Sequence, residues 1–239
     1  MTDDVSRLRR DLAAAFRLAA KFDFNEGICN HFSVQIPGTQ ERFLFNPYGV
    51  HWLEMRPQDL LLVDGDGTVL EGEGEVEATA RHIHIAGHRA NPRHLAILHT
   101  HMPWATCLTM IENGRLEMAH QTAARFHGRT AYDDDFGGFA SEAAEGERIA
   151  ATAKSNSHAD VVFLANHGVI VGGPSVAIAF DDLYFLDRAC RQQVLAMSTG
   201  RPLKLIPPAM VEQTAREWRQ VLAYQAEKHF EALQRLNGL

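Results

Sequence analysis

Cysteine pairs, long apolar runs and an excess of basic residues are all missing from this sequence. Its 239 residues include 3 cysteines, Cys29, Cys107 and Cys190, which lie far apart and show no CxxC spacing. An odd count with this spacing argues against a disulfide scaffold and a cysteine-based zinc site. No run of about 18 apolar residues occurs, so no segment is expected to span a membrane. The net charge of -7 argues against a surface for nucleic acid or anionic lipid.

The first residues also lack the apolar stretch and the cleavage site of a signal peptide. Acidic residues come first, and a basic and apolar helical pattern follows them. We therefore expect a soluble protein of the cytoplasm.

What the sequence does contain is typical of a globular α/β protein. Hydrophobic residues make up 46% and charged residues 22%, which allows a sizeable core at this chain length. Because there is no linker or internal repeat, we expect one α/β domain over 1–239, with a mixed sheet covered by helices and a helical tail from about residue 201. Strands are predicted in HFSVQI, RFLFNP, DLLLVDGDGTVLEGE, HLAILHTH and DVVFLANHGVIVGG, and helices at 4–22, 76–90, 103–112, 141–155 (with Ser141 as N-cap), 174–200 and 208–236.

Two of the predicted buried strands each end in histidine. In LAILHTHMPWA, His99 and His101 are two residues apart on a strand, so their side chains point to the same face. In FLANHG, His167 follows a second strand, and Gly168 allows a bend that turns the ring toward the same crevice. Three imidazoles would suit Zn²⁺ or Fe²⁺ with one coordination position open. The alternative is that all three are hydrogen-bonded core residues.

Most of the remaining histidines are expected to lie on helix faces or at the surface without a functional role. The chain has 13 histidines, so some of them are expected to fall near the predicted site by coincidence. The histidines expected to have no functional role are His82, His88, His94, His120, His127, His158 and His229.

Four segments follow one another along the chain: EGICNHFSV, FNPYGVHWLEMRPQDLLLVDGDG, LAILHTHMPWA and FLANHGVIVGG. Together, and in this order, they make the sequence resemble the class II aldolase and adducin family from about residue 8 to residue 200. The resemblance implies a three-layer α/β/α sandwich around a mixed, mainly antiparallel sheet, and a homotetramer with active sites between subunits. The three histidines that hold zinc in the family's sugar-phosphate aldolases match His99, His101 and His167. A tyrosine that donates a proton from a neighbouring subunit matches Tyr132, whose alternative role is that of a packed aromatic ring.

The sequence departs from those aldolases where they carry the glutamate that moves the substrate proton. Counting back from His99 places Ala80 at that position, and alanine transfers no proton. Glu75 and Glu77 are candidates to replace it, with Glu77 one helical turn away, although a glutamate is also favoured at a helix start by the helix dipole. His84, one turn after Ala80, is a further candidate whose simpler role is packing.

The phosphate-binding positions of the aldolases are changed as well. Asn30 and His31 stand at the place of a Gly-Asn pair, and two serines become Ala78 and Thr79. Since no Lys or Arg occurs in these loops, the resemblance implies a carboxylate or neutral substrate in place of a phosphorylated one. His31, Thr79 and the backbone of Gly49 are expected to line the substrate site.

These features predict a metal-dependent lyase that cleaves a carbon–carbon bond, by retro-aldol reaction or decarboxylation, in a small non-phosphorylated hydroxy- or oxo-acid. Zn²⁺ is the expected cofactor, with Fe²⁺ or another divalent metal as the alternative. One alternative function is a non-heme Fe(II) oxygenase that decarboxylates an aromatic acid, as in another branch of the family. The second alternative is a non-catalytic, adducin-like interaction module.

Overall fold

The strands form a single mixed sheet in the computed structural model, which describes residues 3–39, 41–138, 143–156 and 158–239. They are β1 His31–Gln35, β2 Arg42–Phe45, β3 Leu61–Asp64, β4 Val69–Glu71, β5 Ala96–Thr100, β6 Thr130–Asp133, β7 Val161–Leu164 and β8 Gly168–Gly173. Their order in the sheet is β4-β3-β2-β1-β5-β8-β7-β6. Neighbours run antiparallel except β6 and β7, which are parallel. The expectation of a mixed, mainly antiparallel sheet is therefore confirmed.

The helices agree with the sequence pattern to within a few residues. They are α1 Asp3–Lys21, α2 Ala78–Ala90, α3 Pro103–Thr109, α4 Gln121–Ala124, α5 Ala143–Ser155, α6 Val176–Met197 and α7 Pro208–Asn237. The predicted N-cap of α5, Ser141, lies outside the described residues. The prediction of a helix to residue 112 was wrong, since α3 ends at Thr109. Both α4 and β6 were missed, because four residues are too few to show a period.

Alternating side chains on the strands serve two helix layers. On β1, Phe32 and Val34 pack into the main core with side chains of α1 and α6. His31 and Ser33 alternate with these two residues, so they point to the opposite face and contact α2. Helices α2 and α5 pack against each other on that face, and α1, α3 and α6 cover the other. This arrangement is the expected α/β/α sandwich.

The turn between β7 and β8 packs closely against the end of β5. The turn from β7 to β8 passes through Asn166, which has a left-handed backbone with φ of 55°. We expected Gly168 to supply this bend, and that was wrong. Glycine is needed at 168 because an added Cβ would lie 2.4 Å from the carbonyl oxygen of Thr100 and 2.9 Å from Cδ2 of His101.

None of the helices in the described residues has the length and apolar character needed to cross a bilayer.

Candidate metal centre

A cavity of about 700 Å³ opens at the end of β5, beside the N-terminus of α2. Its wall includes apolar and aromatic side chains, among them Tyr48, Met110 and Phe136, which are exposed at its edge. The carboxylates of Glu26 and Glu77 are also in the wall, whereas no Lys or Arg of the described residues is. A phosphate group therefore meets no cationic side chain here. The polar lining residues are Glu26, Cys29, His31, Tyr48, Glu77, Thr79, His99, His101, Thr106, Cys107, Asn166 and His167.

Three imidazoles meet in this cavity. One ligand nitrogen from each of His99, His101 and His167 lies within 4.8 Å of the others. Nε2 of His99 and Nε2 of His101 are 3.2 Å apart. Two nitrogens that share a tetrahedral zinc at about 2.05 Å are separated by roughly 3.3 Å. The three side chains predicted from the sequence thus come together at the spacing that a metal ion requires.

The outer nitrogens of two of these rings are already engaged. Nδ1 of His99 donates to the carbonyl oxygen of Val169 at 3.0 Å, and Nδ1 of His101 donates to the carboxylate of Glu26 at 2.6 Å. An acceptor on Nδ1 puts the proton there and leaves Nε2 bare, which is the form in which histidine binds metal. The donor set and its outer partners therefore fit a divalent metal of the zinc or iron type.

The start of α2 places a carboxylate in the cavity next to the histidines. Glu77 is the N-cap, and its carboxylate accepts from the backbone N–H of Ala80 at 2.9 Å and from the hydroxyl of Thr79. Burial opposes ionisation, but the hydrogen bonds from Thr79 and Ala80 outweigh it, so the pKa of Glu77 lies below its ordinary value. Glu77 is thus an anion at neutral pH. Ala80, in the next turn, is buried.

His31 lies deeper, at the floor of the cavity, and is 2% exposed. Its position on β1 is directly opposite His99 on β5, and the two ring centroids are 4.8 Å apart. Nδ1 of His31 is 2.7 Å from Nε2 of His84 on α2. Burial lowers the pKa of His31 to about 3, so the ring is neutral.

Two histidines that were expected on helix faces or at the surface, His88 and His94, are buried instead, and so is the candidate His84. His84 is 2.6 Å from the hydroxyl of Ser33, which is also 2.8 Å from Nε2 of His88. Nδ1 of His88 in turn lies 2.8 Å from the carbonyl oxygen of His94. Sequence spacing could have indicated this group, since His31 and Ser33 share one face of a strand and His84 and His88 share one face of a helix.

Two predicted site residues do not line this cavity. Tyr132 lies in a neighbouring cavity that shares Met110 and Asn166 with the first, and its hydroxyl accepts from the backbone N–H of Leu116 at 3.1 Å. Burial raises the pKa of Tyr132. Gly49 has φ of 87° in the loop that brings Tyr48, and not Gly49 itself, to the cavity wall.

The fold, the three histidines and their order along the chain can be compared with known proteins. Residues 10–194 match the family model for the class II aldolase and adducin N-terminal domain. The chain belongs to this family. Class II aldolases generally use a divalent metal, and the cluster of three histidines could bind one.

Relatives of the class II aldolase family with different names match most of the chain. A Caulobacter vibrioides protein assigned to the class 2 aldolases is 31% identical over 87% of this chain and 80% of that protein. The decarboxylase NovR of Streptomyces niveus is 29% identical over 86% of this chain and 75% of NovR. The 4-hydroxy-3-prenylphenylpyruvate oxygenase of Streptomyces roseochromogenus is 28% identical over 79% of this chain and 67% of that enzyme.

Solved structures of the family superpose closely. An aldolase II superfamily protein from Pseudomonas syringae has a TM-score of 0.90 at 32% identity, over 98% of this chain and 93% of the other. The L-fuculose 1-phosphate aldolase from Glaciozyma antarctica has a TM-score of 0.87 at 26% identity, over 100% of this chain and 94% of the other.

Proposed function

We propose that this member of the class II aldolase family is a metal-dependent lyase that cleaves a carbon–carbon bond in a small, non-phosphorylated hydroxy- or oxo-acid. The observation that carries the proposal is the convergence of His99, His101 and His167 in a large cavity, with Glu26 and the carbonyl of Val169 orienting two of the rings. Zinc is the proposed metal. When bound, it supplies a Lewis acid that stabilises negative charge on an oxygen beside the breaking bond.

The residues around the metal ligands support decarboxylation more than an aldol cleavage that begins with proton removal. Ala80 has no group that accepts a proton, and the carboxylate of Glu77 is weakly basic because it already holds two hydrogen bonds. Loss of CO₂ breaks the carbon–carbon bond without prior proton removal. Glu77 then serves to orient a substrate donor or to relay the proton that replaces CO₂.

The cavity wall supports an acid of modest size without a phosphate group. No Lys or Arg of the described residues lines it, and Glu26 and Glu77 repel a second anionic group. A single carboxylate is accommodated only beside the metal. The apolar side chains at the opening, Tyr48, Met110 and Phe136, suit an aliphatic or aromatic substituent. In this proposal His31 and Thr79 contact the substrate, and the loop of Gly49 closes one side.

Two measurements test the proposal. The first is elemental analysis of protein purified without added metal, and the second is a screen of hydroxy- and oxo-acids for released aldehyde or CO₂. We expect about one divalent metal per chain in the native protein and none in the His167→Ala variant. Turnover should follow metal content. A native chain that binds no metal and turns over no acid would point instead to a non-catalytic, adducin-like module.

Tyr132 is proposed to donate a proton to the cavity of a neighbouring subunit in a homotetramer, since it lies outside the cavity of its own chain. Tyr132→Phe should lower kcat by about 10²- to 10⁴-fold without loss of metal. Mixing Tyr132→Phe with His99→Ala subunits should restore part of the activity, because some sites would then combine intact residues of two chains. No restoration in mixed oligomers, or a monomer in sedimentation, would contradict a shared site.

An Fe(II) oxygenase acting on an aromatic acid is the second candidate, favoured by the similarity to the prenylphenylpyruvate oxygenase. It requires that iron-loaded protein consume O₂ together with the acid. Anaerobic loading with Fe²⁺ or Zn²⁺, followed by measurement of O₂ uptake and CO₂ release, separates the two candidates.

The three free cysteines, Cys29, Cys107 and Cys190, are compatible with the proposed reducing cytoplasm.

A further inference from the structure

A continuous line of hydrogen-bonding groups runs between the sheet and α2, from the interior to the cavity. It begins at the carbonyl oxygen of His94 and passes through His88, Ser33 and His84 to His31. The four separations along it are 2.8, 2.8, 2.6 and 2.7 Å. The side chains in the line are 0 to 3% exposed, so water does not compete for these bonds.

The first member of the line determines the direction of every bond that follows. A carbonyl oxygen only accepts, so Nδ1 of His88 donates to it and carries the proton. Among the described residues no carboxylate contacts His88 or His84, and burial lowers the pKa of His88 to about 4, so the ring is neutral and its Nε2 is bare. Nε2 of His88 must therefore accept the hydroxyl proton of Ser33.

The remaining bonds follow in the same sense. Since the hydroxyl of Ser33 has given its one proton to His88, its oxygen accepts from Nδ1–H of His84. Nε2 of His84 is then bare and accepts from Nδ1–H of His31. This leaves Nε2 of His31 without a proton, and no hydrogen bond to that atom is formed by the residues the structure describes.

We propose that this line fixes the tautomer of His31, so that His31 offers a hydrogen-bond acceptor to the cavity and selects substrates that carry a hydroxyl donor beside the metal-binding group. The role of His31 toward substrate rests on the proposed function, but the tautomer does not. Ser33, His84 and His88 are positioning residues that act through His31. The selected substrate class is an acid with a free hydroxyl, in preference to the ether or oxo compound of the same shape.

Nitrogen NMR of the metal-free protein tests the line directly, without any substrate. With ¹⁵N-labelled histidine, pyrrole-type and pyridine-type ring nitrogens resonate in separate ranges. We expect His31, His84 and His88 all to carry the proton on Nδ1, the tautomer that free histidine disfavours. A proton on Nε2 of His31 in the native protein would overturn the proposal.

Ser33 provides the variant that interrupts the line away from the cavity. Ser33→Ala removes the link between His88 and His84, so His84 and His31 should become mixtures of tautomers. Ser33→Thr keeps the hydroxyl and should retain the native tautomers. If Ser33→Ala folds normally and His31 still has its native tautomer, the line does not act on His31.

Two small probes test the consequence for binding. Glycolate and methoxyacetate both carry a carboxylate and a neighbouring oxygen, but only glycolate can donate from that oxygen. Zinc-loaded native protein should bind glycolate about tenfold more tightly than methoxyacetate, since methoxyacetate has no proton to donate and leaves the buried acceptor Nε2 of His31 without a hydrogen bond. The ratio should fall toward one in Ser33→Ala and be restored in Ser33→Thr, whereas equal affinities in the native protein would refute the selectivity.

His31→Gln distinguishes an acceptor for substrate from a fourth metal ligand. We expect its zinc affinity to remain within about threefold of the native value. A loss of more than a hundredfold would assign Nε2 of His31 to the metal and would overturn the proposed role toward substrate. Neither outcome depends on whether the protein proves to be a lyase, because zinc binding is measured without turnover.

Discussion

The carboxylate of Glu26 is the outer partner of a proposed metal ligand, although it is itself on an exposed side chain. It accepts from Nδ1 of His101 at 2.6 Å and so holds Nε2 toward the cluster. We predict that Glu26→Gln lowers zinc affinity by about 10- to 100-fold, because an amide is a poorer acceptor for Nδ1–H. Competition with a fluorescent chelator measures this. Glu217→Gln, on the exposed face of α7, should leave the affinity unchanged, and equal affinities for both variants would contradict the role of Glu26.

Buried neutral histidine makes stability depend on pH in a definite direction. Burial lowers the pKa of His88 from 6.5 to about 4 in the folded protein. Between these values the unfolded chain binds more protons at this residue, so the contribution of His88 to the free energy of unfolding is lost as the pH drops from 6.5 to about 4. The contribution of His88 is about 3 kcal/mol.

Urea unfolding of the metal-free protein between pH 7.5 and 4 measures this loss. In His88→Gln, which has no titrating group, the decrease in stability on acidification should be smaller by about 3 kcal/mol. The same decrease in both proteins would show that His88 is not buried as a neutral ring.

The hairpin of β7 and β8 brings His167, the third proposed metal ligand, to the first two. Gly168 lies against Thr100 and His101 with no space for a Cβ. Gly168→Ala should therefore destabilise the fold by about 1–3 kcal/mol through overpacking. It should also weaken zinc binding, because the displaced atoms include His101.

The matched control for this variant is Gly200→Ala. Gly200 has φ of 70° but no atom within 4 Å of an added Cβ, so the substitution introduces backbone strain alone, at a residue that does not line the cavity. We expect it to cost about 1 kcal/mol of stability without changing zinc affinity. Denaturant titration and metal competition on both variants check this. Undiminished zinc binding by Gly168→Ala would show that the hairpin adjusts without moving His101.

A buried ion cluster joins α6 to the segment between α4 and β6. Asp182, on α6, accepts from Arg125 at 2.8 Å and from Arg129 at 2.6 Å, and the Asp182 side chain is 0% exposed. Asp182→Ala leaves two buried guanidinium groups short of a partner and should cost about 3–5 kcal/mol. In contrast, Asp59→Ala breaks an ion pair with an Arg56 side chain that is 64% exposed and should cost under about 1 kcal/mol. Thermal or urea unfolding of the two variants tests this difference.

Metal binding links the cavity to the stability of the whole molecule, because its proposed ligands come from β5 and from the turn between β7 and β8. A metal that binds only the folded chain stabilises it by about 3 kcal/mol at a free concentration 100 times its Kd. For a chain of this length we expect EDTA to lower Tm by roughly 5–10 °C and excess zinc to restore it. Calorimetry of the native protein and of His167→Ala checks this, and an identical response of the two would rule out a metal held by this cluster.

The sheet, most helices and the histidine cluster could be predicted from sequence because each leaves a local pattern. Strand alternation places His99 and His101 on one face, and the apolar run before His167 marks a second buried strand. The partners of these residues leave no such pattern. Glu26 and His101 are 75 residues apart, and His31 and His84 are 53 apart, so only the packing of one element against another brings them together.

By itself, the sequence determined which side chains can bind a metal, because residue type and short-range spacing suffice for that. The tertiary structure decided that His84 and His88 meet Ser33 and His31, since the register of a helix on a sheet depends on the packing of both surfaces. It also decided which nitrogen of each ring holds the proton, because a tautomer is set by the hydrogen bonds that reach it and not by the residue's identity.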